Sequence, residues 1–78
     1  MNDTLTTMEY VYVDLLSPDQ LMENDLIEIV DEFGENIVEV KKITAVEGGW
    51  LIEATNDFDE VNDYIISDDT KIKLYVLQ

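Results

Sequence analysis

Two short acidic segments, each built around a phenylalanine, contain the residues of this sequence best suited to recognition chemistry. The first is Asp-Glu-Phe-Gly-Glu over residues 31–35, and the second is Asn-Asp-Phe-Asp-Glu over residues 56–60. Carboxylates attract basic side chains, and an apolar ring among them offers surface that a partner can bury, as in many protein interfaces. The candidate partner-binding residues are Asp31, Glu32, Phe33, Glu35, Asp57, Phe58, Asp59 and Glu60.

The same segments also fit a simpler interpretation as hairpin turns. Turns favour aspartate and asparagine because these side chains hydrogen-bond to the backbone of the turn itself. Both phenylalanines would then fold back and cap a hydrophobic core instead of facing a partner. The sequence leaves the two interpretations open, and the position of each phenylalanine side chain decides between them.

Residues for nucleophilic catalysis are almost absent. The chain contains no histidine and no cysteine, which excludes the serine–histidine and cysteine–histidine arrangements. Ser17 and Ser67 stand beside the turn-forming residues Pro18 and Asp68, so we expect their hydroxyls to cap turns. With 19 acidic residues, some carboxylate pair falls at glycosidase spacing by chance and carries no information. We expect a non-enzymatic protein without catalytic residues.

Metal and cofactor motifs are also missing. Residues 57–63 carry acids at alternate positions, as an EF-hand loop does, but Val61 and Asn62 stand where such a loop needs an acid or amide and a glycine. Gly48-Gly49 lacks the spacing and the following helix of a phosphate-binding loop. We interpret residues 57–63 as a solvated acidic turn and expect no metal and no cofactor.

The charge of the chain narrows the range of partners. Its 19 acidic residues against 4 basic ones give a net charge of −15, whereas small soluble domains usually carry a magnitude of about 2–8. Such an excess destabilises the fold through self-repulsion, which a basic protein partner would offset. Phosphate backbones must be neutralised by lysine or arginine, so we expect no direct nucleic-acid binding.

Membrane contact and secretion are not indicated. Anionic lipid headgroups repel an acidic surface, and no apolar run approaches the roughly 20 residues of a membrane helix. The first nine residues lack the basic and apolar regions of a signal peptide. Disulfides are impossible without cysteine, which favours a reducing compartment. We therefore expect a cytoplasmic protein.

Short apolar segments separated by turn residues predict six β-strands. Segments rich in β-branched and aromatic residues occupy 10–16, 26–30, 37–46, 50–55, 63–67 and 71–77. Ser17-Pro18 predicts a single helical turn over 17–21, and Lys41-Lys42 marks a bulge in the third strand. We expect residues 1–8 to form a loose arm and residues 9–78 one small domain.

This pattern predicts an all-β fold, a small antiparallel barrel or meander of about six strands. At the level of the fold it resembles the SH3-like small barrels, which have long central hairpins and a brief helical turn before the last strand, a place that residues 67–70 suit. Core packing is the expected role of Tyr12, Trp50 and Tyr64, whereas Tyr75 is expected to be exposed. In an up-and-down order, the two phenylalanine-containing turns share one end of the sheet.

Three functions are compatible with these features. An acidic inhibitor or antagonist would occupy a basic, nucleic-acid-binding surface of another protein, and the charge profile resembles that of the DNA mimics with which phages oppose host nucleases and defence systems. The alternative is a structural or adaptor module with an SH3-like fold in a larger assembly. A domain whose charge serves solubility alone is less favoured, since the core is full-sized and hydrophobic. The sequence favours the first function.

Overall fold

The protein folds into one antiparallel β-sheet of six strands. A computed structural model describes residues 9–32 and 34–78, apart from the side chain of Asp31. The all-β prediction is confirmed. The strands are β1 (Tyr10–Leu16), β2 (Leu26–Asp31), β3 (Gly34–Val46), β4 (Gly49–Thr55), β5 (Val61–Ser67) and β6 (Ile72–Leu77), with a 3₁₀ turn at Pro18–Gln20.

The strand order is β1-β6-β2-β3-β4-β5, so an up-and-down order is correct only from β2 to β5. The first strand pairs with the last, from Tyr10 opposite Leu77 to Leu16 opposite Ile72. The connection after β1 is too long for a tight hairpin, and it contributes the buried residues Pro18 and Leu21 to the fold. This connection therefore carries the chain past β6 before β2 begins.

Two strands begin at least two residues earlier than the sequence predicts, and one irregularity agrees with the prediction. Gly34, at φ 112°, already pairs with Asp31, so β3 begins three residues early and Glu35 belongs to a strand. Glycine adopts this positive φ without steric cost, which allows the hairpin to close tightly. The predicted bulge is confirmed by the register shift between Val40 and Lys42. The fifth strand starts at Val61, two residues earlier than expected.

The core lies on one face of the sheet and consists of aliphatic side chains. Ile27, Val38, Val40, Ile52 and Ala54 are at most 1% exposed, and they alternate along their strands with outward residues. Full burial of one such isoleucine or valine contributes about 1.5–3 kcal/mol. No charged side chain among the described residues is buried, so the acidic residues surround the core without entering it.

The positions of two tyrosines differ from the sequence prediction. Trp50 and Tyr64 pack against the core as expected, but Tyr12 is 51% exposed. It lies opposite Tyr75 on the outer face, with the two rings edge to face at a centroid distance of 5.9 Å. A register shift between Tyr12 and Asp14 interrupts the simple alternation on which the prediction rested. Tyr75 is half-buried instead of exposed, and its hydroxyl donates to Glu28 at 2.9 Å.

Helical structure in the described chain is limited to the 3₁₀ turn, where the Ser17 N–H donates to Gln20 Oε1 at 2.9 Å. Residues 67–70 form a non-helical turn. Across residues 9–32 and 34–78, no helix has the length and apolar character needed to cross a bilayer.

Candidate functional site

The two acidic segments lie toward the same end of the sheet but at different distances along it. Thr55, the last residue of β4, pairs with Glu39, whereas β3 begins five residues earlier at Gly34. At the rise of an antiparallel strand, five residues span about 17 Å. The β2–β3 hairpin therefore extends past the turn that joins β4 to β5, which we call the Phe58 turn (residues 56–60).

The structure describes only part of the first segment. Phe33 and the side chain of Asp31 lie outside the described residues, whereas Glu32 and Glu35 are exposed. Glu35 pairs with Val30 within the hairpin. The gathering of the six acidic candidate residues around the two phenylalanines stays a prediction, while the second segment is described in full.

Phe58 is the most exposed large hydrophobic side chain among the described residues, with 82% of its surface accessible. The interpretation in which this ring folds back to cap the core is therefore wrong for Phe58. An aromatic ring of this size gains roughly 1.5–3 kcal/mol on full burial, so its exposure leaves that gain available to a binding partner.

Asn56 fixes the Phe58 turn, a role that the sequence analysis missed. Its Oδ1 accepts from the Phe58 N–H at 2.9 Å and from the Glu60 N–H at 3.1 Å. Its Nδ2 donates to Glu60 Oε1 at 3.0 Å. An asparagine that hydrogen-bonds to the backbone two residues ahead is a known turn signal, and the sequence contained it. The consequence is a turn that holds Phe58 outward by local bonds instead of by packing.

The three carboxylates of the turn are exposed and differ in their contacts. Asp57 Oδ1 accepts from the Tyr10 hydroxyl at 3.2 Å, which connects the turn to the first strand. Partial burial, this hydrogen bond and the carboxylate charge raise the pKa of Tyr10. Glu60 is held by Asn56, and Asp59 takes the left-handed φ of 60°. The side chain of Asp59 makes no hydrogen bond or ion pair within the described part of the chain.

Among the described residues, no lysine forms an ion pair with a carboxylate of the Phe58 turn. Within residues 9–32 and 34–78, the ion pairs are Lys41–Glu39 at 3.1 Å and Lys73–Glu28 at 3.9 Å. Lys71 donates to Ser17 Oγ at 3.3 Å. Exposed carboxylates that form no ion pair create a local negative potential that attracts a basic surface.

A groove of about 510 Å³ opens beside Phe58. Its walls come from the first part of β3, the Phe58 turn and the start of β5, including Ile37, Phe58 and Tyr64. Glu32 and Glu35 do not line it. The structure thus brings Asp57, Phe58 and Glu60 together around one groove and leaves the described acids of the hairpin outside it.

Ser67 has a structural role in the turn after β5. Ser67 Oγ lies 2.8 Å from both Asp69 Oδ1 and Thr70 Oγ1, which agrees with the predicted turn-capping role. No group of carboxylates in the described chain is arranged to hold a metal ion.

Comparison with known proteins gives no match: no protein-family model, curated protein or solved structure is similar to this chain.

Proposed function

We propose that this protein is a small non-enzymatic binding protein that occupies a basic, nucleic-acid-binding surface of another protein. The observation that carries this proposal is the Phe58 turn, in which a ring 82% exposed stands among three exposed carboxylates. The carboxylates steer a basic partner toward the turn. Burial of Phe58 then slows dissociation, which governs most affinity differences between related complexes.

Preorganisation of the turn supports the same proposal. Asn56 holds the backbone at Phe58 and Glu60, and Tyr10 holds Asp57. Ordering a flexible loop during binding costs free energy that a pre-formed loop does not lose. A turn needed only to connect β4 to β5 would gain nothing by exposing its one aromatic side chain.

We also infer that the sheet curls toward an SH3-like open barrel, the fold that suits the alternative function as an adaptor module. A second groove supports this, since β5 residues line it together with residues of β2 and β6, strands that are not neighbours of β5 in the sheet. The edge strands β1 and β5 are the two that barrel closure would join.

Capture and displacement test the proposed function. The immobilised protein is exposed to lysate at low salt, and bound proteins are eluted with a short DNA duplex or with an uncharged polymer. The proposal predicts that duplex DNA displaces basic proteins while the polymer does not, because the acidic protein and the duplex compete for one surface. Bound proteins that remain bound in excess duplex would contradict the nucleic-acid-binding part of the proposal.

The Phe58→Ala variant tests the contribution of the aromatic ring to binding separately from that of the carboxylates. We expect the variant to associate with a captured partner at the wild-type rate and to dissociate faster. Val61→Ala is a matched control, since Val61 is also an exposed apolar residue, 60% accessible, and directly follows the turn as the first residue of β5. Equal dissociation rates for the Phe58 variant, the control and the wild type would place the contact surface elsewhere.

A further inference from the structure

A free strand edge runs along one side of the molecule at β5. In the described sheet β5 pairs with β4 alone. The backbone bonds Asp68 N–H to Gly48 O at 3.3 Å and Asn56 N–H to Glu60 O at 3.1 Å fix the alternation of this ladder. Because hydrogen-bonded pairs alternate in an antiparallel ladder, Asn62, Tyr64 and Ile66 bond to β4. Val61, Asp63 and Ile65 therefore direct their N–H and C=O groups away from the sheet.

The free edge borders a groove large enough for an extended chain. This groove, about 730 Å³, is lined along one wall by β5 from Asp63 to Ser67 and along the other by residues of β2 and β6. Its apolar floor includes Ile29, Ile66 and Ile72, which are at most 8% exposed. Unpaired backbone groups beside an apolar groove are the requirements for adding a strand from another protein.

We propose that β5 pairs with an extended segment of a partner protein that alternates basic and apolar side chains. A residue opposite Asp63 lies on the outer face with it, where a lysine or arginine forms a favourable cross-strand pair. Residues opposite Tyr64 and Ile66 point inward over the groove and must be apolar. The stem of an outer lysine also covers Ile65, which is 78% exposed.

Charge complementarity favours a basic strand over the two other segments that could pair with β5, a second copy of this chain and residues 1–8. No basic residue occurs between Lys42 and Lys71, so the Phe58 turn, β5 and residues 68–70 carry only acidic and neutral side chains. On the opposite wall, Lys71 contacts Ser17 and Lys73 contacts Glu28. A second copy of this chain brings a charge of −15, and residues 1–8 bring an aspartate and no lysine. A second copy is therefore repelled where a basic strand is attracted, and residues 1–8 lack the basic side chains that would pair with Asp63.

The test uses a synthetic probe peptide, Gly-Lys-Val-Lys-Val-Lys-Val-Lys-Gly, and a control of identical composition, Gly-Lys-Lys-Val-Val-Val-Lys-Lys-Gly. Amide hydrogen exchange of the full chain is followed by NMR with each peptide. At ten times the Kd, about one molecule in ten has a free edge, so exchange at Asp63 and Ile65 should slow by about tenfold. Asn62 and Tyr64, already bonded to β4, should change less.

Several results would overturn the proposal. The proposal is wrong if neither peptide binds, if both bind with equal affinity, or if binding leaves Asp63 and Ile65 unprotected. The edge of β5 would then attract basic peptides by charge at most, without strand pairing. Protection in the free protein that grows with its concentration would assign the edge to a second copy. Protection that disappears when residues 2–8 are deleted would assign it to the N-terminal segment of this chain.

Variants of β5 and of the Phe58 turn show which of the two surfaces binds the peptide. Ile65→Pro removes an outward N–H, which edge strands tolerate, together with the exposed Ile65 side chain, and should weaken peptide binding by at least about tenfold. If circular dichroism shows that it does not fold, Asp63→Lys serves instead and should weaken binding while leaving the backbone edge intact. Phe58→Ala should bind the peptide like the wild type, so failure of the proposed function and failure of this inference are distinguishable.

Discussion

Replacement of Asn56 by alanine tests whether the Phe58 turn is held by local bonds. The change removes three hydrogen bonds, to the Phe58 N–H, the Glu60 N–H and the Glu60 carboxylate, at 2.9, 3.1 and 3.0 Å. A net hydrogen bond contributes about 0.5–1.5 kcal/mol. Because these groups are exposed and water replaces the lost partners, the lower value applies. Three bonds then total about 1.5 kcal/mol in the free energy of unfolding.

A loss of this size is measurable by thermal unfolding. For a domain of 60–100 residues, 1 kcal/mol corresponds to about 4–8 °C in Tm, so Asn56→Ala should lower the Tm by about 6–12 °C. Asn56→Asp keeps a side-chain oxygen that accepts from both backbone N–H groups and should lose less stability, although it places a carboxylate beside Glu60. Asn62→Ala, an exposed asparagine on β5, is the matched control. A Tm for Asn56→Ala equal to that of the control would refute the account of the turn.

Two further predictions concern packing and pH. A Cβ on Gly49 would collide with the carbonyl of Ile66, so Gly49→Ala should destabilise the fold by about 1–3 kcal/mol in urea unfolding, and wild-type stability would contradict this contact. The hydrogen bond to Glu28 is the largest cause of the raised pKa of Tyr75, which lies above the ordinary value of 10.0. A raised folded-state pKa gives stability that is complete below the unfolded value and lost as pH rises through the folded value. Wild-type Tm should therefore fall more steeply above pH 10 than the Tm of Tyr75→Phe, and parallel curves would remove the role of this bond.

The strands could be predicted from the sequence because their signals are local. β-Branched and aromatic runs defined all six, and Gly48-Gly49 and Ser17-Pro18 defined a turn and the 3₁₀ turn. Pairing of β1 with β6 could not be predicted, since it depends on contacts between residues such as Tyr10 and Leu77, at opposite ends of the domain. The early start of β3 could not be predicted either, because a glycine at position 34 is compatible both with a tight hairpin and with a longer loop.

The candidate site was predictable in composition but not in geometry. Acidic residues around Phe58 were evident in the sequence, yet an aromatic residue in a turn can face either the core or solvent. The local bonds of Asn56 decide that question, and the turn rule for asparagine could have indicated them. The free edge of β5 required the strand order, because no residue in 61–67 distinguishes an edge strand from a central one.

The salt dependence of association shows whether the Phe58 turn is the surface that contacts a basic partner. The association rate constant of a captured basic partner is measured over a range of ionic strength for the wild type and two triple variants. One variant neutralises the Phe58 turn (Asp57→Asn, Asp59→Asn, Glu60→Gln). The control makes the same charge change elsewhere (Asp19→Asn, Glu47→Gln, Asp68→Asn), with Glu47 and Asp68 in turns at the opposite end of β4 and β5.

Screening weakens exposed charge interactions beyond about 10 Å at 0.1 M salt, so the wild-type rate should fall steeply as salt rises. We expect slower association and a flatter salt dependence for the Phe58-turn variant, with the control close to the wild type. Equal slopes for the two triple variants would show that net charge alone steers the partner, and that the Phe58 turn is not the contact surface.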